Sequence, residues 1–321
     1  ESKQFAPSSQ LEKIKKQLFE EIPDGMPCLL AASGGVDSTV AAALVSQVRK
    51  VKAGFVDHGF NRAYDLDDLK RVFQDFPQIE LNVVDAKEKF WKELKGVSDP
   101  ETKRKIIGRL FVEVFENFVG QPEKYCLIQG TIYSDVIESA GSKSGLSAKI
   151  KSHHNVGGMP EQVRFYKIIE PLRDLFKDEV RSVGKLLGIH DDFLNRHPFS
   201  GPGLAIRTIG SLEPERVELL KKVDQIYTEE IKKFGLYEKT WQAGAMLLPT
   251  KTVGVQGDER SFDSVVALRA VTSTDAMTVE ACEYPWEVLK AIATRICNEV
   301  KGVNRVVYDL SSKPPATIEG E

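Results

Sequence analysis

Cysteine is scarce in this chain, and the spacing that would give it a chemical role is missing. The sequence has 4 cysteines among its 321 residues, at positions 28, 126, 282 and 297. They are widely separated and form no Cys-x-x-Cys pair, so neither a zinc site nor a redox dithiol is expected. The pattern instead predicts buried free thiols in a reducing compartment.

Long apolar runs and a basic excess are absent as well. No stretch approaches the ~18 apolar residues of a membrane-spanning helix, and the N-terminal segment is polar and charged, unlike a signal peptide. The net charge is −3, with 44 Lys and Arg against 47 Asp and Glu, which argues against general nucleic-acid binding. We therefore expect a cytoplasmic protein with neither a membrane nor a nucleic acid as its partner.

The first part of the chain alternates short apolar segments with amphipathic ones. Strands are predicted at residues 28–32, 52–56, 79–84 and 125–129, and helices at 10–21, 39–48, 65–75 and 103–118. Strands that alternate with helices predict an α/β fold with a doubly wound parallel sheet. Ligands of such sheets bind at the carboxyl ends of the strands. Three segments fall there: the Ser33–Ser38 loop, Asp57-His58 and Gly130-Thr131.

A Pro- and Gly-rich stretch at 197–203 predicts a boundary between two domains, residues 1–200 and 201–321. The second domain is predicted to be a smaller α+β unit, with helices at 214–234 and 286–300 and strands at 246–248, 264–271 and 305–310. Within the first domain, residues 139–160 are small and polar, with scattered lysines. This composition predicts a long loop of the kind that often serves as a lid.

The Ser33-Gly34-Gly35-Val36-Asp37-Ser38 loop joins a predicted buried strand to a predicted helix. A glycine-containing turn at a helix N-terminus presents backbone N–H groups and the positive end of the helix dipole to an anion. The two glycines allow close approach of a phosphate, and the two serines add hydroxyl donors. Asp37 would repel a bare phosphate, which indicates a bridging Mg²⁺.

Other phosphate motifs fit this loop less well. A Walker loop needs a Lys after its second Gly, and a dinucleotide fingerprint needs the spacing G-x-G-x-x-G; neither occurs here. A plain serine-capped turn is the remaining alternative. The flanking strand and helix favour a nucleotide phosphate site.

The loop resembles the pyrophosphate loop of the N-type ATP pyrophosphatases, whose fold is the adenine nucleotide alpha hydrolase-like sheet. Longer stretches resemble the synthetase half of one branch, the GMP synthetase family: residues 130–139, 151–158, 170–180, 197–207, 254–260, 304–308 and 312–319. The resemblance implies that ATP adenylates the C2 oxygen of xanthosine monophosphate (XMP), and that ammonia then displaces AMP to give GMP. It also implies that the second domain mediates homodimerisation.

The resemblance assigns roles to individual residues. ATP and its pyrophosphate would be bound by Ser33, Gly34, Gly35, Val36, Asp37, Ser38, Thr39, Phe55, Val56 and Gly130. Asp37, which would hold the Mg²⁺, and Lys151 on the predicted lid would be catalytic. XMP would be bound by Arg104, Gln256, Lys313, Ile318 and Glu319. Without the resemblance, Lys103-Arg104-Lys105 would be interpreted as a solvated helix end.

The chain departs from the family pattern in its tail, which reads Ile318-Glu319-Gly320-Glu321 where the family has a tryptophan in place of Gly320. The loss of that aromatic side chain puts the anchoring of Glu319 in doubt. Ser134 and Ser200 also stand where proline is expected.

No cysteine lies in a glycine-flanked nucleophile elbow, so no glutamine-hydrolysing site is expected in this sequence. Ammonia would come from solution or from a separate amidotransferase subunit, although a chain cut from a longer fused protein would look the same. Two other functions stay open. One is another N-type ligase, such as a tRNA thiolase. The other is a non-catalytic nucleotide-binding module.

Overall fold

The computed structural model describes residues 6–141, 165–273 and 278–321. The chain divides into two compact units. Unit 1 comprises residues 1–58, 65–87 and 108–201, and unit 2 comprises residues 59–64, 88–107 and 202–321. The division predicted at 200/201 does not include residues 59–64 and 88–107, which belong to unit 2. The assignment of two domains to these ranges stays a prediction.

Nine strands and ten α-helices are present in the described ranges. The strands are β1 (Cys28–Ala31), β2 (Val51–Asp57), β3 (Ile79–Asp85), β4 (Cys126–Ile128), β5 (Lys167–Ile169), β6 (Gln242–Gln256), β7 (Glu259–Thr272), β8 (Glu280–Ala281) and β9 (Val303–Tyr308). The helices are α1 (Pro7–Glu21), α2 (Val36–Ser46), α3 (Asp65–Phe73), α4 (Lys87–Leu94), α5 (Pro100–Val119), α6 (Tyr133–Gly141), α7 (Lys177–Leu186), α8 (Asp191–Leu194), α9 (Pro214–Lys233) and α10 (Trp286–Glu299).

Unit 1 is built on a parallel sheet with the strand order β3-β2-β1-β4-β5. Successive residues of β1 pack on opposite faces of the sheet. Leu30 packs in a cluster with side chains of α1, α2 and α7, and Leu29 packs with Phe115 and Val119 of α5. Because both faces are covered, β1 is apolar at every position. The doubly wound α/β fold predicted from the sequence is confirmed.

The strand order reverses between β1, the central strand, and its neighbour β4. The chain leaves β1 toward β2 on one side, whereas β4 lies on the other side. Such a reversal opens a crevice at the carboxyl ends of the strands, where ligands bind in sheets of this class. The segments that follow β1 and β4 are the Ser33–Ser38 loop and Gly130, so both lie at this crevice.

Unit 2 contains a mostly antiparallel sheet of order β6-β7-β8, with β9 pairing in parallel with β7. β6 and β7 form a long hairpin that turns at Gly257, whose φ of 63° is one that glycine adopts readily. The prediction of strands only at 246–248 and 264–271 was too short, because the polar residues of the hairpin weaken the apolar signal. The α+β character of the unit is confirmed.

Two further element boundaries differ from the predictions. α2 begins at Val36 rather than at 39, because Gly35 caps the helix and accepts hydrogen bonds from side chains of its first turn. The loop predicted from residue 139 is wrong at its start, because residues 139–141 form the end of α6. The rest of the predicted lid, from 142 onward, lies outside the described residues.

The cysteines are free, as predicted, and three of the four are buried. Burial raises the pKa of Cys28 to about 12, so this thiol stays protonated near neutral pH. None of the helices in the described ranges combines the length and apolar character that a bilayer crossing needs.

Candidate active site

The Ser33–Ser38 loop has one buried and one exposed side. Gly34 is buried and has a φ of 77°, in the left-handed region that favours glycine. Ser33 and Gly35 are exposed on either side of it. Gly35 then caps α2, and its carbonyl accepts hydrogen bonds from Ser38 Oγ (3.1 Å) and Thr39 Oγ1 (2.7 Å). The first-turn N–H groups of a helix have no intrahelical acceptor, so this end of α2 can receive an anion.

Gly130 lies where β4 ends and contacts the first turn of α2. A Cβ atom on Gly130 would lie 2.7 Å from the backbone nitrogen of Ser38 and 3.0 Å from the carbonyl carbon of Asp37. Real Cβ atoms do not approach backbone this closely. The absence of a side chain at Gly130 therefore allows α2 to pack against the end of β4, which fixes the position of the loop at the crevice.

Asp37 lies in the first turn of α2, where its carboxylate pairs with Lys177 at the start of α7. Lys177 Nζ donates to Asp37 Oδ1 at 2.7 Å, and the two side chains are 40% and 27% exposed. Sequence reasoning missed Lys177. The only signal for it was its place in the family-like stretch 170–180, since a lysine at the start of a helix is usually solvated.

Asp37 is the one carboxylate in the loop, and no cluster of three or more metal-ligating side chains occurs in the described parts of the chain. Mg²⁺ is commonly held by one or two carboxylates together with waters and substrate phosphates, rather than by a cage of protein ligands. A single half-buried carboxylate in the first turn of a helix fits that mode. Asp37 therefore fits a Mg²⁺ shared with a nucleotide.

Phe55 and Val56 lie near the end of β2 with side chains that are almost fully buried. The β1–β2 ladder ends at the Ala31–Gly54 pair, so the two residues extend beyond β1 along the sheet. Their backbone, rather than their side chains, is what the structure can offer to a nucleotide. Beyond them, Asp57 Oδ2 accepts a hydrogen bond of 3.3 Å from Lys87 Nζ, a second lysine that sequence reasoning missed.

Lys103 and Arg104, in α5, contact the tail of the chain within unit 2. The Lys103 side chain is fully buried; its ammonium pairs with the Glu321 carboxylate and donates to the Thr208 carbonyl at 2.8 Å. Burial lowers the pKa of Lys103, and the Glu321 carboxylate opposes that shift. Arg104 Nη2 donates to the backbone carbonyl of Glu321. The interpretation of this segment as a solvated helix end is wrong, because Lys103 has a buried acidic partner.

Glu319 is anchored by an ion pair with Arg207. Arg207 donates from Nε to Oε2 at 2.7 Å and from Nη2 to Oε1 at 3.0 Å, and Gln242 Nε2 adds a bond of 2.8 Å to Oε1. Burial opposes the ionisation of Glu319, but the charge and hydrogen bonds of Arg207 outweigh it and lower the pKa of the carboxyl. Ile318 lines the same small cavity as Glu319. Arg207 was not predicted as a site residue, because its burial depends on tertiary contacts.

Gly320 packs its backbone where the family pattern has an aromatic side chain. A Cβ atom there would lie 2.8 Å from Met246 Sδ and 3.1 Å from Ile209 Cδ1. A larger residue at this position would require the ends of the Met246 and Ile209 side chains to move. The contacts with Arg207 and Gln242 show that Glu319 is anchored although Gly320 replaces the aromatic residue.

The remaining predicted site residues are more dispersed. Lys313 pairs through its backbone with Val279. Gln256 ends β6, whereas Gln242, the partner of Glu319, begins that strand of 15 residues. At ~3.3 Å per residue the two lie up to ~46 Å apart. The structure thus brings Arg104, Ile318 and Glu319 together and places Gln256 far from them within one chain. The side chain of Gln256 and the whole of Lys151 lie outside the described residues.

Comparison with known proteins gives matches in both units. Residues 229–320 match the family model described as GMP synthase C terminal domain. The chain is 54% identical over 313 residues to a protein of Phenylobacterium zucineum (strain HLK1) named GMP synthase [glutamine-hydrolyzing], covering 97% of this chain and 60% of that relative. Relatives with the same name from Aquifex aeolicus (strain VF5) and Thermotoga petrophila are 54% and 53% identical, each over 97% of this chain and over 60% and 62% of the relative.

Among solved structures, one titled NMN synthetase from Francisella tularensis matches with a TM-score of 0.46 and 16% identity, over 74% of this chain and 94% of that one. The chain spans about three-fifths of the length of the curated relatives that it matches. The predicted family is confirmed by the sequence relatives, which align with nearly every residue of both units. Over 97% of its length the chain therefore belongs to the same family as the matched region of the proteins named GMP synthase, a region that includes the GMP synthase C terminal domain.

Proposed function

We propose that this chain catalyses the synthetase reaction of GMP formation. ATP adenylates the C2 oxygen of XMP with release of pyrophosphate, and ammonia then attacks C2 and releases AMP, leaving GMP. The observation that carries the proposal is the Ser33–Ser38 loop, which lies at the strand-order reversal of unit 1 in a chain 54% identical to a GMP synthase over 97% of its length.

The pyrophosphate would be bound at the N-terminal end of α2. Its oxygens would accept hydrogen bonds from the Ser33 hydroxyl. They would also replace the present acceptors of two further donors, the Gly35 N–H, which now donates to Ser33 Oγ, and the Ser38 hydroxyl, which now donates to the Gly35 carbonyl. Asp37 would hold a Mg²⁺ that neutralises charge on the phosphates when bound. Lys177, paired with Asp37 at 2.7 Å, would orient this carboxylate and add positive charge beside the leaving group. These residues position the phosphates and stabilise charge, without covalent chemistry by the protein.

The acceptor would be bound by residues of unit 2. Arg104 and Lys313 are suited to the XMP phosphate, since guanidinium and ammonium groups bind phosphate well. Ile318 and Glu319 would contact the ribose or base. Because Arg207 and Gln242 already occupy the Glu319 carboxylate, we propose that Glu319 chiefly orients the tail. Lys151 is proposed to approach the phosphates, and Gln256 remains the weakest candidate.

Ammonia is proposed to come from a separate glutamine amidotransferase subunit. The relatives named glutamine-hydrolyzing extend beyond the region that this chain matches. Co-purification of a glutaminase with the native protein supports this proposal. Glutamine-dependent GMP formation by this chain alone refutes it.

We propose that the chain acts as a homodimer through unit 2 and works in the cytoplasm. Val253 and Val255 of β6 and Phe262 of β7 are well exposed, and Val253 lies directly opposite Phe262 in the hairpin. An exposed apolar patch of this kind is typical of an interface between proteins. Light scattering that gives a strict monomer at micromolar concentration contradicts the dimer.

One assay tests the enzymatic proposal against its alternatives. Pyrophosphate release from ATP is measured with ammonium as the nitrogen source, with and without XMP, and GMP is measured as the product. Release that requires XMP supports the proposal. Release that requires another acceptor favours a different N-type ligase, and no release under any condition favours a non-catalytic nucleotide-binding module.

A further inference from the structure

Arg196 is a buried cation that contacts the Ser33–Ser38 loop from its buried side. It follows α8, and its side chain is 5% exposed. Arg196 Nη1 donates to the Gly34 carbonyl at 2.8 Å, and Nη2 donates to Asp65 Oδ1 at 2.9 Å and to Asp68 Oδ2 at 3.3 Å. Its guanidinium carbon lies 4.7 Å from the centre of the Phe193 ring.

These contacts fix the guanidinium in place. The Asp65 carboxylate is as deeply buried as Arg196 and compensates its charge, at the N-terminal end of α3 where acidic residues are favoured. The planar fork of arginine holds two acceptors at set positions. With Nη2 engaged by the two carboxylates of α3, Nη1 is directed at one backbone carbonyl of the loop, that of Gly34.

The orientation of that carbonyl determines the orientation of a potential phosphate donor. In a trans peptide the C=O and N–H groups point in opposite directions. When the Gly34 carbonyl faces Arg196, the Gly35 N–H of the same peptide therefore faces away from it. Gly35 and Ser33 are exposed, and the Gly35 N–H donates a hydrogen bond of 3.3 Å to Ser33 Oγ on that exposed side. The donor thus points to the exposed side, where the proposed pyrophosphate would lie.

The Gly34–Gly35 peptide has little intrinsic preference for this orientation. Glycine adopts left-handed and right-handed backbone conformations about equally well, so a peptide between two glycines can rotate at low cost. A rotated peptide would present the Gly34 carbonyl oxygen to the phosphates and would repel them. The hydrogen bond from Arg196 opposes that rotation.

We propose that Arg196 is a positioning residue of the pyrophosphate site. Arg196 holds the Gly34–Gly35 peptide with the Gly35 N–H directed at the anion. This proposal rests on the function proposed above. The guanidinium acts through the loop backbone and does not itself touch the phosphates.

Two variants test this role. Arg196→Lys keeps a positive charge beside Asp65 but lacks the fork that reaches both the carboxylate and the Gly34 carbonyl. Arg196→Met combined with Asp65→Asn removes both charges, so that no buried charge is left unpaired. Arg49→Met is the matched control, because Arg49 also donates to backbone carbonyls and stacks on a phenylalanine, but at the end of α1.

The first readout is the binding of inorganic pyrophosphate by calorimetry, and the second is the pair of KM values for ATP and XMP. Loss of one hydrogen bond to a charged group weakens binding by about 10-fold to 100-fold. We expect a loss of that size for pyrophosphate in both Arg196 variants, with a raised KM for ATP and an unchanged KM for XMP. Pyrophosphate binding by Arg49→Met is expected to match the unaltered protein.

Other outcomes overturn the proposal. Unchanged pyrophosphate binding in both Arg196 variants shows that the peptide needs no such support. Equal weakening in Arg49→Met, or a parallel rise in the KM for XMP, shows a general loss of structure instead of a local effect. If the unaltered protein binds no pyrophosphate, the proposed function itself fails, and it does so without reference to any variant.

Discussion

Gly130→Ala is the substitution for which the structure gives the sharpest expectation. The new Cβ would lie 2.7 Å from the backbone nitrogen of Ser38 and 3.0 Å from two neighbouring backbone carbons, where ordinary contact begins at 3.4 Å. None of these atoms belongs to a side chain that can rotate away. The first turn of α2 or the end of β4 must therefore shift by about 0.7 Å.

Two quantities are expected to change as a result. Overpacking of this kind costs about 1–3 kcal/mol in the free energy of unfolding. The shift also moves the N–H groups of α2 relative to the proposed pyrophosphate, and a misplacement of about 1 Å can reduce the rate of an oriented reaction ~100-fold. We expect XMP-dependent pyrophosphate release to fall by at least about 10-fold, which is more than the loss of stability alone would produce.

The measurements are urea denaturation and steady-state pyrophosphate release with varied ATP. Gly201→Ala is the matched control, because no atom of the described residues lies within 4 Å of the Gly201 Cβ position, and Gly201 has no left-handed φ. This control carries the same change in the unfolded chain, where alanine has fewer conformations than glycine. If Gly130→Ala keeps both the stability and the KM for ATP of the control, the close approach of β4 and α2 has no functional role.

Three further substitutions separate catalysis from stability. Asp37→Asn breaks a partly exposed ion pair with Lys177, so the free energy of unfolding measured with urea should change by no more than about 1 kcal/mol. Pyrophosphate release should fall ~100-fold or more. Near-normal turnover contradicts the proposed role of Asp37 at the phosphates. Glu319→Gln removes the closer of two carboxylates that pair with Arg207, the other being Asp224 at 3.6 Å, and should destabilise the fold by about 2 kcal/mol. The pKa of Glu319 is lowered in the folded state, so the unaltered protein should exceed the variant in free energy of unfolding by the full amount above the ordinary pKa of 4.5, and this difference should disappear as the pH falls through the lower folded value. A difference in stability that persists in strong acid refutes the ion pair. Ser200→Ala removes a buried hydroxyl that has no hydrogen-bond partner among the residues that the structure describes. The substitution should raise the free energy of unfolding by about 1 kcal/mol, whereas a lower stability shows that the hydroxyl is bonded.

The sequence predicted the sheet of unit 1 and the place of the Ser33–Ser38 loop, because both follow from local patterns. A strand such as β1, apolar at each position, must be covered on both faces. The paired glycines after it require a tight turn into a helix. The sequence also predicted the carboxyl-end placement of Gly130, since parallel strands end at a common edge. The close contact of Gly130 with α2 was not predictable, because it depends on the distance between two elements.

The residues proposed for the two substrates also differ in how far the sequence alone could predict them. The loop donors lie within six consecutive residues, so their chemistry could be derived from the sequence alone. The tail residues could be identified only by resemblance, and the structure shows which charges they meet. Glu319 pairs with Arg207, 112 positions earlier in the chain.

What the sequence by itself determined is therefore the α/β order of unit 1, the turn of the Ser33–Ser38 loop into a helix, and the family. Only the tertiary structure decided which cations are buried and which carboxylates they pair with. Lys103, Arg196 and Arg207 look like ordinary surface residues in the sequence, yet each is buried against a carboxylate that lies 218, 131 or 112 positions away. A charge can be buried only where the fold supplies its partner, and no local pattern contains that information.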